Sequence, residues 1–277
     1  MASYFRPTEL SQALAALSMS KRELTIIAGA TDYYPTQLGR LPDHDILDLS
    51  AIEALHGIEA DGDYWRIGAM TTWRDLMDAD LPVCFDALKA AARQVGGPQI
   101  QNTATIAGNL CNASPAADGV PPLLCLEAEV VLQGRAGARQ VPLPEFILGN
   151  RRIALASGDM LTAILVPKHL EQARSGFIKL GARSSLVISI VMAAGLLRLD
   201  DQGRVIQANL SIGACSEVAR RLPELETALL GQMPWADMVK PEYFAGLSPL
   251  NDHRGTAAYR LDAAMILVQR LLEALSA

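Results

Sequence analysis

Two short runs of small residues carry the chemistry this sequence can offer. The first, Ala28-Gly29-Ala30-Thr31-Asp32-Tyr33, leaves an apolar strand. The second, Thr105-Ile106-Ala107-Gly108-Asn109, continues through Asn112-Ala113-Ser114-Pro115-Ala116-Ala117-Asp118. Glycine lets a backbone adopt positive φ and approach a ligand closely. Successive peptide N–H groups in such turns form concave nests that bind phosphate. Neither run contains Lys or Arg, so a pyrophosphate held here would depend on N–H groups and on hydroxyls such as those of Thr31, Thr105 and Ser114. Either run alone reads as an ordinary turn.

Other chemistries lack their residues. There is no GxGxxG after a strand, no P-loop GxxxxGKS or GxxxxGKT, no HExxH and no GxSxG elbow. Cys84, Cys111, Cys125 and Cys215 form no CxxC pair, so buried free thiols are expected and no iron–sulfur cluster fits their spacing. His44, His56, His169 and His253 are equally scattered and support no metal site. The formal charge is −6 with no basic cluster, and aromatics make up 5% of residues, which argues against a nucleic-acid partner. The longest apolar run, Leu186 to Leu197, has 12 residues and is too short to span a bilayer. With no apolar leader in Met1–Pro7, a cytoplasmic location is expected.

The elements that must position these loops follow from hydrophobic periodicity. At 277 residues, half of them hydrophobic, one large or two ordinary domains are expected. A helix reads from Glu9 to Leu17 with Thr8 as its N-cap, then strands over Leu24–Ala28, Asp45–Leu49 and Tyr64–Ala69. Helices follow at Thr72–Met77 and Asp86–Val95, the latter closed by Gly96-Gly97-Pro98. Thr105 to Pro122 reads as a long functional loop rich in Gly, Asn, Thr, Ser and Pro. A second unit begins near Lys168, with strands over Ser175–Leu180, Val187–Leu199 and Gln207–Ala214 and a helix over Pro223–Leu230. The closing helix, Thr256 to Leu275, places Leu261, Met265, Val268, Leu272 and Leu275 on one face. Strands followed by helices predict an α+β architecture.

Taken in order, the motifs resemble one family. Ile27-Ala28-Gly29-Ala30-Thr31-Asp32 is similar to the AGGTD loop of the flavin subunits of the xanthine dehydrogenase and carbon monoxide dehydrogenase group. Pro98-Gln99-Ile100-Gln101-Asn102 with Thr105-Ile106-Ala107-Gly108-Asn109-Leu110 resembles that family's PQIRN…TIGGNI. Asn112 to Asp118 and Pro121-Pro122-Leu123-Leu124 resemble NASPAGD…PPLL. Phe177 to Arg183 is similar to FxKxGxR, and Asp252-His253-Arg254 with Ala258-Tyr259-Arg260 to the closing DxRxSAxYR. Two departures stand out. Ala30 and Ala107 replace glycines, and Ser184-Ser185-Leu186-Val187 replaces a more charged stretch, which bears on the identity of the electron acceptor.

The resemblance implies a two-lobed FAD-binding fold of the vanillyl-alcohol oxidase (PCMH) type over residues 1–167, with subdomains of 1–55 and 56–167, and a smaller C-terminal α+β domain over 168–277. It implies that Ala28, Gly29, Ala30, Thr31, Asp32 and Tyr33, with Thr105, Ile106, Gly108 and Asn109, wrap the FAD pyrophosphate. Ala113, Ser114, Ala117 and Asp118 would run along the adenosine and ribitol side, Asp118 as a hydrogen-bond acceptor. Leu161 and Ile164 would line the isoalloxazine, and Lys179 would sit near the ring, where without the resemblance it reads as an exposed strand lysine. It further implies an oxidoreductase subunit without a catalytic acid or base of its own. Molybdopterin would sit on a large partner and 2Fe–2S clusters on a small one, in a dimer of heterotrimers. Substrate would be oxidised at molybdenum, and electrons would pass through this FAD to NAD, a quinone, dioxygen or another acceptor. Three rivals are a stand-alone FAD-dependent oxidoreductase of the same fold, a non-catalytic assembly subunit, and a generic α+β binding protein. Trp65, Trp73 and Trp235 are candidates for packing against partners, although core burial is the commoner fate of such residues.

Overall fold

A computed structural model describes residues 2–20, 22, 24–39, 42–233 and 236–276; Trp235 lies outside them. The first helix runs Leu10–Met19, and Glu9 rather than Thr8 takes the N-cap position, because the Thr8 N–H is turned to the Gln12 side chain. That helix covers a three-stranded parallel sheet in the order Tyr4–Phe5, Asp45–Asp48, Leu24–Ile27. Leu47, Leu49, Ile52 and Leu55 join Ala13 in a small core beneath it. This lobe delivers the first loop at the carboxyl end of Leu24–Ile27.

The second lobe is a five-stranded antiparallel sheet in the order Ile58–Asp61, Tyr64–Gly68, Met160–Pro167, Glu129–Gly134, Gly137–Pro142. Between Gly68 and Glu129 the chain leaves the sheet and builds a helical layer. Thr72 caps the helix Trp73–Asp78 with a reciprocal capping box through Asp75, which fixes where that layer starts. The span expected to be a loop, Thr105 to Pro122, instead holds two short helices, Ile106–Asn112 and Val120–Cys125. Two features of the wording account for the difference. Thr105 is an N-cap, its hydroxyl accepting from the Gly108 N–H at 2.9 Å. Pro121 and Pro122 fall in the first turn of the next helix, where no N–H is needed.

The third layer is a four-stranded antiparallel sheet in the order Arg174–Leu180, Val191–Leu199, Val205–Gly213, Arg220–Arg221. Its second strand starts four residues later than Val187, because Ile190 is the first of the segment to bond across, to the Leu180 carbonyl. Met192, Ala194 and Leu196 point into the core shared with the second lobe, whereas Val191, Ala193 and Leu197 point into a separate core under the last helix. A strand buried on both faces reads as a continuous apolar run, which accounts for the longest such run in the sequence. No helix among the described residues is long and apolar enough to cross a membrane.

The last helix, Ala257–Ser276, buries Ala264, Leu267, Val268, Leu271, Leu272 and Leu275; Leu261 and Met265 sit at the edge of that face rather than on it. Gly176 and Gly195 let it approach the sheet, since a Cβ on either would meet Leu271 at 2.9 Å. Trp73 is fully buried, and Trp65 is half-buried with its indole N–H bonded to Glu171 at 2.7 Å. Mixed helix and strand content in this arrangement is the expected α+β class, with helices on both faces of the last sheet.

Candidate functional site

The two small-residue runs meet. A cleft of about 470 Å3 lies between the first two lobes, lined by every residue from Ile26 to Tyr33 on one side and by Thr105, Gly108, Asn109, Cys111 and Asn112 on the other. Trp73, Val95 and Ile100 add an apolar wall. Gly29 makes the convergence possible: a Cβ there would stand 1.9 Å from the Thr103 carbonyl oxygen. The facing backbone is held by the Trp73 N–H to the Ala104 carbonyl, and by the Ile106 N–H to the Thr71 carbonyl. The Asn109 side chain turns inward to accept from the Gly119 N–H at 3.3 Å, which ties the second run to the helix that follows.

The first run has the donors that an oxyanion needs. Ala30 adopts φ +53°, a left-handed conformation that turns neighbouring peptide N–H groups towards one side. The N–H groups of Gly29, Ala30, Thr31 and Asp32 bond to no acceptor among the described residues. Gly29, Ala30 and Thr31 are half-buried, and half-buried peptide donors rarely stay unpaired, so the row points to an acceptor brought by a ligand. Tyr33 closes the run. Its hydroxyl lies 2.9 Å from His44 Nε2, and His44 Nδ1 lies 3.1 Å from Asp43 Oδ1. A carboxylate only accepts, so Nδ1 donates to Asp43, and the contact between Nε2 and the Tyr33 hydroxyl fixes the phenol ring at the lip. Desolvation raises the Tyr33 pKa, so the phenol stays protonated at neutral pH. Burial likewise pushes the Cys111 thiol up to about 12, leaving a neutral, unreactive group on the cleft wall.

The remaining expected site residues fall outside this lining. Ile106 is wholly buried and Ala113 and Ala117 nearly so, while Ser114 caps its own turn by accepting from the Ala116 N–H. Leu161 and Ile164 lie on the central strand of the five-stranded sheet and are packed into the apolar core on its face, not on the cleft. Asp118 and Lys179 are paired with each other at 2.6 Å, and Ser189 donates to the same carboxylate at 2.5 Å. Lys179 is therefore not an exposed strand lysine: its side chain is 5% exposed. Burial pushes the Asp118 carboxyl up, against the lowering effect of the Lys179 charge and the two hydrogen bonds. Asp118 directly precedes Gly119, which packs on Trp73 and Asn109, whereas Lys179 lines a separate cavity of about 300 Å3 with Gln94, Leu180, Gly181 and Leu186.

Sequence reasoning missed Arg151. It occupies the tip of the hairpin formed by Ile147–Gly149 and Arg152–Ile153, at φ +57°. Its guanidinium bonds the Asp32 carboxylate at 2.7 Å and also the Asn112 side-chain oxygen, and its peptide N–H bonds the Ala113 carbonyl at 2.9 Å. The signal available in the sequence was the turn pair Gly149-Asn150 just before it, which marks a tight hairpin but not what its tip would touch.

This geometry fits a dinucleotide. Unpaired N–H groups face one end of an open cleft with an apolar wall, and the two runs approach closely enough for one pyrophosphate to reach both. FAD, when bound, supplies one- and two-electron redox chemistry that no side chain here possesses. The comparisons agree. Residues 1–169 match the family model described as the FAD binding domain in molybdopterin dehydrogenase, and residues 177–275 match the CO dehydrogenase flavoprotein C-terminal domain. The nicotinate dehydrogenase FAD-subunit of Eubacterium barkeri is 32% identical over 234 residues, covering 82% of this chain and 79% of that protein. The carbon monoxide dehydrogenase medium chain of Afipia carboxidovorans is 28% identical over 98% of this chain and 95% of its own. Among solved structures, reconstituted CO dehydrogenase from Oligotropha carboxidovorans superposes with a TM-score of 0.90 at 28% identity, covering 100% of this chain and 98% of that one. With two family models covering nearly its whole length in order, the chain belongs to the FAD-binding medium subunits of the xanthine dehydrogenase and CO dehydrogenase family, the flavin components of molybdopterin-dependent oxidoreductases.

Proposed function

We propose that the chain holds FAD as a relay, taking electrons from 2Fe–2S clusters of a small partner subunit and passing them to an acceptor such as NAD or a quinone. The observation that carries this reading is the convergence of both small-residue runs on one cleft, with four unpaired peptide donors and, among the described residues, no free acid or base in its lining. In this reading Gly29 to Asp32 bind the pyrophosphate through their N–H groups. Thr105, Gly108 and Asn109 support it from the second lobe. Trp73 and Ile100 exclude water from one side. Asp118 and Lys179, with Leu161, Ile164, Ala113, Ser114 and Ala117, form the packed floor that holds these loops in place. Residues 1–167, in lobes 1–55 and 56–167, form the cofactor domain, and 168–277 brace it and offer a surface to partners. The partners are a molybdopterin-binding large subunit and the 2Fe–2S small subunit, assembled as a dimer of heterotrimers in the cytoplasm.

The test is anaerobic rapid mixing of the purified complex with its oxidisable substrate, following flavin absorbance. Flavin bleaching that requires the iron–sulfur subunit, and that is reversed by NAD or a quinone, is the expected result. A flavin that bleaches equally without the iron–sulfur subunit would refute the relay and favour a self-contained oxidoreductase.

A further inference from the structure

The cleft poses an electrostatic problem. A pyrophosphate arrives with negative charge, yet the only charged side chain among the described lining residues is a carboxylate, that of Asp32. Asp32 belongs to the nest itself, since its own N–H is one of the four unpaired donors. An unneutralised carboxylate at that position would repel the ligand that the N–H groups attract. The structure supplies a cation from elsewhere. Arg151 reaches in from the hairpin 147–153 and places its guanidinium on Asp32 from one lobe and on Asn112 from the other.

We propose that Arg151 is the positioning and charge-balancing residue of the FAD site. It cancels the Asp32 carboxylate so that the nest presents net positive potential to the pyrophosphate, and it latches the two lobes together across the cleft mouth. This rests on the reading that the cleft takes the FAD pyrophosphate. The latch is anchored independently of the ion pair, because the Arg151 peptide N–H holds the Ala113 carbonyl and Ala113 itself terminates the Ile106–Asn112 helix in a left-handed conformation. The guanidinium therefore has a fixed base and a short reach. Both charged side chains are half-exposed, so the pair adds little to folding stability. Its effect falls on the ligand, which brings the further negative charge.

The test is FAD binding to the full chain stripped of flavin, read by quenching of flavin fluorescence, in four forms: wild type, R151Q, D32N and the double variant. R151Q weakens FAD by about ten-fold or more, the size expected for losing a charge-balancing contact at a phosphate site. D32N alone tightens FAD, because it leaves the guanidinium free to face the phosphates. The double variant returns to within about three-fold of wild type, since the charge that Arg151 cancels is gone. Either of two results would overturn the proposal: R151Q binding FAD as wild type does, or the double variant binding no better than R151Q. D32N reports on the same question should R151Q fold poorly, because weakened binding in D32N contradicts charge cancellation outright. A wild-type chain that takes up no FAD would instead overturn the reading of the cleft.

Discussion

Gly29→Ala is the sharpest perturbation that the site allows. The added Cβ would stand 1.9 Å from the Thr103 carbonyl oxygen and 2.7 Å from the Thr103 carbonyl carbon, both backbone atoms. To reach even 3.0 Å, the distance at which the next backbone atom stands, the two runs must separate by 3.0 − 1.9 = 1.1 Å. Thr103 and Ala104 cannot yield cheaply, because the Thr103 and Ala104 N–H groups both bond the Ile100 carbonyl and the Ala104 carbonyl accepts from Trp73. The first run must therefore retreat. A retreat of that size takes a peptide donor out of hydrogen-bonding range of any phosphate still held by the second run. Overpacking of this kind costs about 1–3 kcal/mol, or on the order of 5 °C in Tm for a chain of this size. FAD affinity falls by about ten- to a hundred-fold, at roughly 1.4 kcal/mol per decade. Thermal unfolding followed by circular dichroism and a flavin fluorescence titration measure the two effects. Gly246→Ala is the control, since a Cβ there meets nothing within 4 Å. A Gly29→Ala chain with the Tm and FAD affinity of the control would refute the claim that close approach of the two runs builds the site.

Three further outcomes follow from the same structure. Ala30 sits at φ +53°, so Ala30→Gly relieves left-handed strain while loosening the unfolded chain; the two nearly cancel, and urea unfolding should place the variant within about 0.5 kcal/mol of wild type, whereas β-branched Ala30→Val is clearly destabilised. Lys179→Met strips the buried Asp118 carboxylate of its cation and costs about 3–5 kcal/mol, and adding Asp118→Asn recovers part of it; a double variant no more stable than the single one would contradict the pairing. Asp252 is held down to about 2, chiefly by the Arg254 N–H and also by the Arg260 guanidinium, against 3.8 for the free group. Its folded value lies below the unfolded one, so its contribution is complete above pH 3.8 and is lost as pH falls towards 2. The urea midpoints of wild type and Asp252→Asn should accordingly differ most at neutral pH and converge over that acid window.

How much of this was legible in the sequence depends on the range of the signal. The Ala28–Tyr33 and Thr105–Asn109 runs could be read because their chemistry is local: glycine, a capping threonine and small neighbours specify a turn whatever surrounds them. The segments 106–112 and 120–125 have the composition of loops, and what makes them helices is the Thr105 cap and the prolines in the first turn of the second. The pairing of Asp118 with Lys179 and Ser189 joins positions 61 and 71 residues apart, and nothing in any local window announces it. Arg151 reaches Asp32 across 119 residues, and the hairpin carrying it has no distinguishing composition. Long-range polar contacts of this sort are fixed by register between elements, which periodicity does not encode.

The same long-range contacts decide what the cleft can do. A flavin enzyme that oxidises its own substrate commonly uses a proton donor or acceptor poised at the reacting atom. Each ionisable group lining this cleft is already spoken for or silent: Asp32 is bonded to Arg151, the Tyr33 hydroxyl is bonded to His44 and its pKa is raised, and the Cys111 thiol is held neutral by burial. The buried Lys179–Asp118 pair, which could have served as an acid–base couple, is closed on itself and capped by Ser189. What remains is a surface of unpaired peptide donors and apolar walls, which fits the proposed role of holding and insulating a cofactor. Such a site is consistent with the proposed relay, in which the bond-breaking chemistry belongs to a partner subunit.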